Sequence, residues 1–289
     1  MPYTQVNNLD FADIKTAIKE YMRAETEFTD YDFEGSVISQ LVDVLAYNTY
    51  YTAFNANMVV NELFLDSSTL RDNVVALAKQ IGYSPKSITS PKAAIDMQLL
   101  FTGNTSPSSV VLEAGTGFIT NYDDSLYEFV LSEDYKKEVV NNTATFTDLP
   151  VYEGSLIVTR TTVDTSLKNQ RFIINNNKAD VSTLKIKVFE SANSTVSNTF
   201  DKADSILSVG SGDKVYFLSE VEDEKYEIFF GDGVLGEKLS NNNIVEISYV
   251  ITSGPSTNGA KSFVFNGTVT DGDGNQSNTL TIPEFTVIS

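Results

Sequence analysis

The chain has 289 residues, 41% of them hydrophobic, with no cysteine, histidine or tryptophan and a formal net charge of −19. Without histidine or cysteine, Ser-His-Asp, Cys-His and H-E-x-x-H arrangements are impossible, as are disulfides and cysteine metal sites. An acidic surface repels phosphate backbones, no run approaches 18 apolar residues, and "MPYTQVNNLD" lacks the regions of a signal peptide; nucleic-acid binding, membrane spanning and a secretory leader are not expected.

The first ~90 residues read as helical. Phe11, Ile14, Ile18 and Tyr21/Met22 recur at helical spacing, with Asn8 or Asp10 as N-cap. After the polar break "EFTDYDFEGS", a longer pattern runs from about Ser36 to Phe64 without proline, roughly 43 Å if wholly helical. It carries two apolar stripes. One is Ile38, Leu41, Val42 and Leu45; the other is Val37, Gln40, Val44, Tyr47, Tyr51, Phe54 and Met58, in alternating steps of three and four. A globular helix needs one stripe, so two imply a helix covered on two sides. The cover is either its own domain or, for the second stripe, another chain. A third helix is expected from Ser67 to Ile81, capped by Asp66 or Ser67 and stopped by "GYSP" at Gly82 and Pro85.

From about residue 93 the period changes to two. Ile95, Met97, Leu99 and Phe101 alternate, and further strands are expected at 110–112, 126–130, 155–161, 184–189, 215–218, 226–230, 244–251 and 262–265. Asn, Gly, Ser and Asp clusters separate them, as in an antiparallel β domain. The polar stretch 132–210 reads as an insertion with its own small sheet.

Two motifs invite chemistry. "GDGVLG" at 231–236 matches the G-x-G-x-x-G phosphate loop, but no helix follows: Asn241–Asn243 is turn chemistry, and Val245, Ile247, Tyr249 and Ile251 begin a new strand. Asp232-Gly233 reads instead as a tight turn between strands. "DGDGN" places Asp271, Asp273 and Asn275 at calcium-loop spacing, yet Gln276 and Ile282 stand where the loop needs Gly and Glu, so a solvated turn is expected.

The segment "DYDFEGSVISQLVDVLAYNTYYTAFNANMVVNELFLDSSTLRDNVVALAKQIGYSP" resembles the N-terminal region of the T-even-type baseplate wedge proteins of contractile-tailed bacteriophages. "YEIFFGDGVLGEKLSNNNIVEISYVITSGPSTNGA" is similar to the signature of the wider baseplate J-like family: Phe230-Gly231-Asp232-Gly233, then Gly236, a strand, Thr252-Ser253-Gly254 and Asn258. The resemblance covers roughly residues 10–95 and 215–260. It implies a non-enzymatic assembly role in the inner baseplate. Two copies would associate, their N-terminal helices joining a helix of a different wedge protein. Six wedges would ring the tail hub and start sheath contraction. The resemblance also implies a long C-terminal dimerisation region beyond the β domain in T-even-type members, whereas this sequence ends at "TIPEFTVIS", soon after the signature.

The expectation is therefore an α+β protein: a helical N-terminal domain over 1–92, then an antiparallel, J-like β domain over 93–289 with the insertion. It would be a virion protein of the tail baseplate, made in the host cytoplasm. Its partners would be a second copy, other wedge proteins, and the hub or sheath initiator, with no cofactor, metal or catalysis. Val37, Val44, Tyr47, Tyr51, Phe54 and Met58 are expected to face the partner, and Gly231, Asp232, Gly233, Gly236 and Gly254 to build structural turns. The alternative is a carbohydrate-binding adhesin or tail-fibre module using Asn-rich loops; a carboxylate-only enzyme is a third reading.

Overall fold

A computed structural model describes residues 10–25, 35–83, 85–101, 107–167, 170–203, 205–272, 280–281 and 285–288. It divides into two compact units, Met1–Pro85 and Lys86–Ser289. Helices come first and an antiparallel-rich β region follows.

The first unit holds α1 (Phe11–Ala24), α2 (Val37–Glu62) and α3 (Arg71–Gln80). Asp10 caps α1, its Oδ1 accepting from the N–H of Ala12 (2.7 Å) and of Asp13 (3.3 Å). Ser36 Oγ does the same for Ser39 N–H (3.0 Å) at the start of α2. Both spend a side-chain oxygen on amides that no helical carbonyl can reach.

The third helix begins later than its apolar periodicity suggested, at Arg71 rather than Ser67, with Leu70 in the capping place and no side-chain cap there. Glu62, the last residue of α2, replaces it. Its Oε1 accepts from Thr69 N–H (2.9 Å), Thr69 Oγ1 (2.7 Å) and Leu70 N–H (3.3 Å), while Oε2 accepts from Ser68 Oγ (2.6 Å) and Asn73 Nδ2 (2.9 Å). The Ser68 hydroxyl, first among these donors, holds the Glu62 carboxyl well below the usual carboxylate range. At the other end, Tyr83 N–H reaches Ala78 O (3.0 Å), Gly82 N–H reaches Lys79 O (3.0 Å), and Gly82 sits at φ +81°, the Schellman stop that the glycine announces.

The second unit is built from β1 (Lys92–Phe101), β2 (Ser109–Leu112), β3 (Gly117–Tyr122), β4 (Ser125–Leu131), β5 (Tyr135–Glu138), β6 (Thr143–Glu153), β7 (Ser155–Thr162), β8 (Phe172–Ile174) and β9 (Ala179–Phe189). It continues with β10 (Ser197–Lys202), β11 (Val215–Glu220), β12 (Tyr226–Phe230), β13 (Ile244–Ile251), β14 (Val264–Asn266), β15 (Thr270–Asp271), β16 (Leu280–Thr281) and β17 (Phe285–Ile288). One sheet runs β14-β3-β4-β6-β1-β16, with β17 also on β1; a second runs β7-β13-β9-β10-β11-β12-β8; β15-β2-β5 form a third. Among the described strand pairs only β10–β11 is parallel.

Each large sheet closes over its own core. Ile95, Met97, Leu99 and Phe101 all point inward from β1, packing with Phe118, Phe129, Phe146 and Leu149. Val245, Ile247 and Tyr249 do so from β13, with Ile186, Phe200 and Ile228. The period-two alternation in the sequence is this inward face. Residues 132–210, expected as an insertion, are divided among all three sheets: β5 to the small one, β6 to the first, and β7 to β10 to the second.

β6 escapes sequence patterning because it contains Pro150 and a bulge. Its register with β1 shifts between Ile95 and Met97, Asp148 adopts φ +54°, and Asp96 Oδ1 accepts the freed Asp148 N–H (2.9 Å).

A buried carboxylate ties the first two sheets. Glu153, at the end of β6, accepts from Thr252 Oγ1 (2.5 Å) and Ser253 N–H (3.0 Å), just past β13. Beside it Gly154 adopts φ +121°, where a Cβ would lie 1.9 Å from the Ile251 carbonyl oxygen, so only glycine fits.

Candidate functional site

Two sets of residues were singled out by sequence: a stripe on α2 and the glycine turns of the β unit. On α2, 26 residues long, the side chains covered within the first unit are Ser39, Val42, Ala46, Asn57 and Asn61. Ser39, Val42 and Ala46 are spaced by three and four positions and Asn57 and Asn61 by four, and the eleven positions between the two groups are about three helical turns, so all five mark one face. That face is small and largely polar. Asn61 Nδ2 donates to Asn57 O (2.7 Å), and Ser67 Oγ to Asn61 O (2.7 Å), so the Asn61 amide nitrogen and both backbone carbonyls are bonded internally.

The large apolar side chains lie opposite. Val37, Val44, Tyr47, Tyr51, Phe54 and Met58 are all exposed, from 39% for Phe54 to 72% for Val37. The other stripe is divided: Val42 is buried, but Leu41 (57%) and Leu45 (55%) face solvent, as does Val59. The exposed apolar arc therefore takes in Leu41, Leu45 and Val59, three residues that the sequence reading did not assign to it. The four-residue step from Leu41 to Leu45 is the same signal; nothing in a one-dimensional pattern says which stripe turns inward.

The arc has internal order. Tyr47 and Tyr51 rings meet edge to face at 4.7 Å, and the Tyr47 hydroxyl donates to that of Tyr51 (2.9 Å). That hydrogen bond raises the Tyr47 pKa, so the Tyr47 phenol stays neutral at physiological pH. Where α1 crosses α2, a groove of about 380 Å³ is lined by Phe11, Lys15, Asp43, Val44 and Tyr47, with Lys15 and Asp43 ion-paired. The arc itself carries no charged side chain.

The turn at 231–236 is closed on itself. Asp232 Oδ1 accepts from Val234 N–H and Leu235 N–H (both 2.9 Å), which hold its carboxyl below the usual range, Leu235 foremost. Gly233 N–H donates to Gly236 O (3.1 Å), Gly236 N–H to Gly210 O (2.9 Å) and Glu237 N–H to Asp213 O (2.8 Å). Five successive amides that a phosphate would need are thus already engaged, and β13 follows instead of a helix. The glycines are steric requirements: Gly233 and Gly236 have positive φ, and a Cβ on Gly231 would stand 2.2 Å from the Gly236 carbonyl carbon. Gly254, at φ +90°, follows the Thr252–Ser253 pair on Glu153, its N–H donating to Thr252 Oγ1 (3.0 Å).

Beside this turn lies a groove of about 730 Å³. Arg171 and Glu227 on its wall form a bidentate pair, with both bonds 2.6 Å. Each thus satisfies polar atoms of the other. Of the calcium-spaced residues, Asp271 lies in β15 opposite Val110, while Asp273 and Asn275 are outside the described residues. Among the described residues no three acidic side chains gather as metal ligands, and no helix is long and apolar enough to cross a membrane.

Comparison with known proteins bears on the same two regions. Residues 10–83 match the family model of the helical domain of gp6-like baseplate wedge proteins. Residues 157–262 match that of the third domain of the bacteriophage baseplate wedge protein gp6. The baseplate wedge protein gp6 of Enterobacteria phage T4 is 29% identical over 279 residues, covering 90% of this chain and 41% of the relative, so the chain spans about two fifths of that protein's length. Two family models met in order, with similarity through most of the sequence, support a T4-type baseplate wedge protein.

Proposed function

We propose that this chain is a non-enzymatic building unit of a contractile-tail baseplate wedge, and that α2 is its main assembly surface. The observation that carries this reading is the inverted α2: small and polar residues inside, large apolar residues outside. Water opposes an exposed arc of this kind, and burying each large side chain contributes about 1.5–3 kcal/mol. The partner surface comprises Val37, Val44, Tyr47, Tyr51, Phe54 and Met58, widened by Leu41, Leu45 and Val59. A second copy's helices and a helix of another wedge protein cover it, and the assembled wedge meets the tail hub or sheath initiator. The turns at Gly231, Asp232, Gly233, Gly236 and Gly254 serve as a rigid J-like frame rather than as a ligand site. The protein is made in the host cytoplasm and resides in the virion baseplate.

Co-expression with the neighbouring tail proteins, followed by native mass measurement, tests this. The wild-type chain is expected in a complex with a wedge partner, and the double variant Tyr51→Asp, Phe54→Asp is expected as a free chain with an unchanged β-rich circular dichroism spectrum. A double variant that still assembles refutes the surface. A wild-type chain that ignores every tail protein refutes the function.

A further inference from the structure

We propose that the outer edge of β7 takes an added strand from a different protein: an extended segment alternating apolar and basic residues. This goes beyond the α2 reading and does not depend on it. β7 is an edge strand of the second sheet and, among the described residues, pairs only with β13. Val163 N–H donates to Asn243 O (2.8 Å), which fixes the phase of the antiparallel ladder. Odd-numbered residues of β7 bond to β13, and the even-numbered Val158 and Arg160 aim N–H and C=O outward. No described backbone group bonds to those four atoms.

Edge strands are normally short, charged, bulged or proline-bearing, because an open ladder recruits other chains. The other described edges of this unit follow that rule, with β16 two and β17 four residues long. β8 and β14 have three residues each, β15 has two, and β5 carries Lys136 and Lys137. β7 has eight residues, SLIVTRTT, without proline, and is rich in β-branched side chains. Its one charge does not guard it. Arg160 folds over the Phe189 ring (5.3 Å) and bonds to Glu246 through Nε and Nη2 (both 2.7 Å). Val158 is left 53% exposed.

Charge selects the occupant. Residues 86–289 contain 15 basic and 27 acidic side chains, so a second copy is repelled and a basic segment attracted. The pleat selects the pattern: Ile157 packs on the second core, so an added strand needs apolar residues on that face and basic ones on the other.

Hydrogen exchange on the whole chain, with an eight-residue Val-Lys alternating peptide as probe, tests the proposal. The Val158 and Arg160 amides are expected to exchange at least about tenfold more slowly with the peptide present. A Val-Glu peptide, or a Val-Lys peptide N-methylated at alternate residues, should leave them unchanged. Val158→Pro removes an outward donor without touching the β13 ladder and should abolish binding with the melting temperature retained; the N-methylated peptide makes the same test without altering the chain. Unchanged exchange at millimolar peptide, equal protection by Val-Glu, or protection that survives N-methylation overturns the proposal. Protection that grows with chain concentration alone, together with a doubled mass, assigns the edge to a second copy and overturns it as well.

Discussion

On β1, Ile95, Met97, Leu99 and Phe101 all turn into a closed core; on α2, Val37, Val44, Tyr47, Tyr51, Phe54 and Met58 all turn out to solvent. Both elements are apolar at regular spacing, and both are read from the sequence by period alone. They differ in what each unit can enclose. The β unit closes its two large sheets over two cores, β2 of the small sheet adding Val110 and Leu112 to the first. Among the described residues the helical unit has three helices, no residue of α1 is buried, and the apolar arc of α2 stays exposed. An apolar stripe is therefore a demand for cover, and the chain need not meet that demand itself.

The largest test of this contrast is a matched pair of truncations. Phe129→Ala removes a fully buried ring from the first core and should destabilise the chain by about 3–5 kcal/mol. Phe54→Ala on the exposed arc should change the stability of the isolated chain by no more than about 0.5 kcal/mol. Denaturant unfolding reads both, and similar losses would break the comparison. Next is the joint between the sheets. Glu153→Ala leaves Thr252 Oγ1 and Ser253 N–H without their acceptor and should cost about 1–3 kcal/mol, whereas Glu153→Gln, which keeps an acceptor, should cost less.

The smallest effect is expected in the helical unit, at Glu62. Glu62→Ala strips the substitute cap from α3 and should lower the melting temperature of the helical signal while leaving the β signal in place. The folded-state pKa of Glu62 is depressed, so its contribution is fully present above the ordinary carboxylate value of about 4.3 and is lost as pH falls below it. Acid titration of the helical signal should be steeper in the wild type than in Glu62→Ala. Parallel curves would remove Glu62 from the account.

Much of the architecture was legible before the structure. The α1 cap, Asp10 of the two candidates Asn8 and Asp10, the stop at Gly82 and the alternation of β1 and β13 follow from rules that act over a few residues. The Asp232-Gly233 turn was legible as well, because no helix follows it. What failed did so for identifiable reasons. β6 was hidden by Pro150 and by a bulge that Asp96 supports from another strand. The start of α3 was misplaced because its cap comes from Glu62, eight residues before Leu70. Leu41 and Leu45 were left out of the partner-facing set because periodicity finds stripes without orienting them.

The sequence alone determined that this chain begins with helices, turns to β structure near residue 90, and carries a long helix with more apolar surface than one stripe. Those are consequences of spacing, and spacing is local. Only the tertiary structure decided which face of α2 is covered, which carboxylates are buried as joints, and which strand is left at an open edge. Each of these depends on groups distant in sequence meeting in space, and no local pattern of apolar and polar residues encodes that meeting.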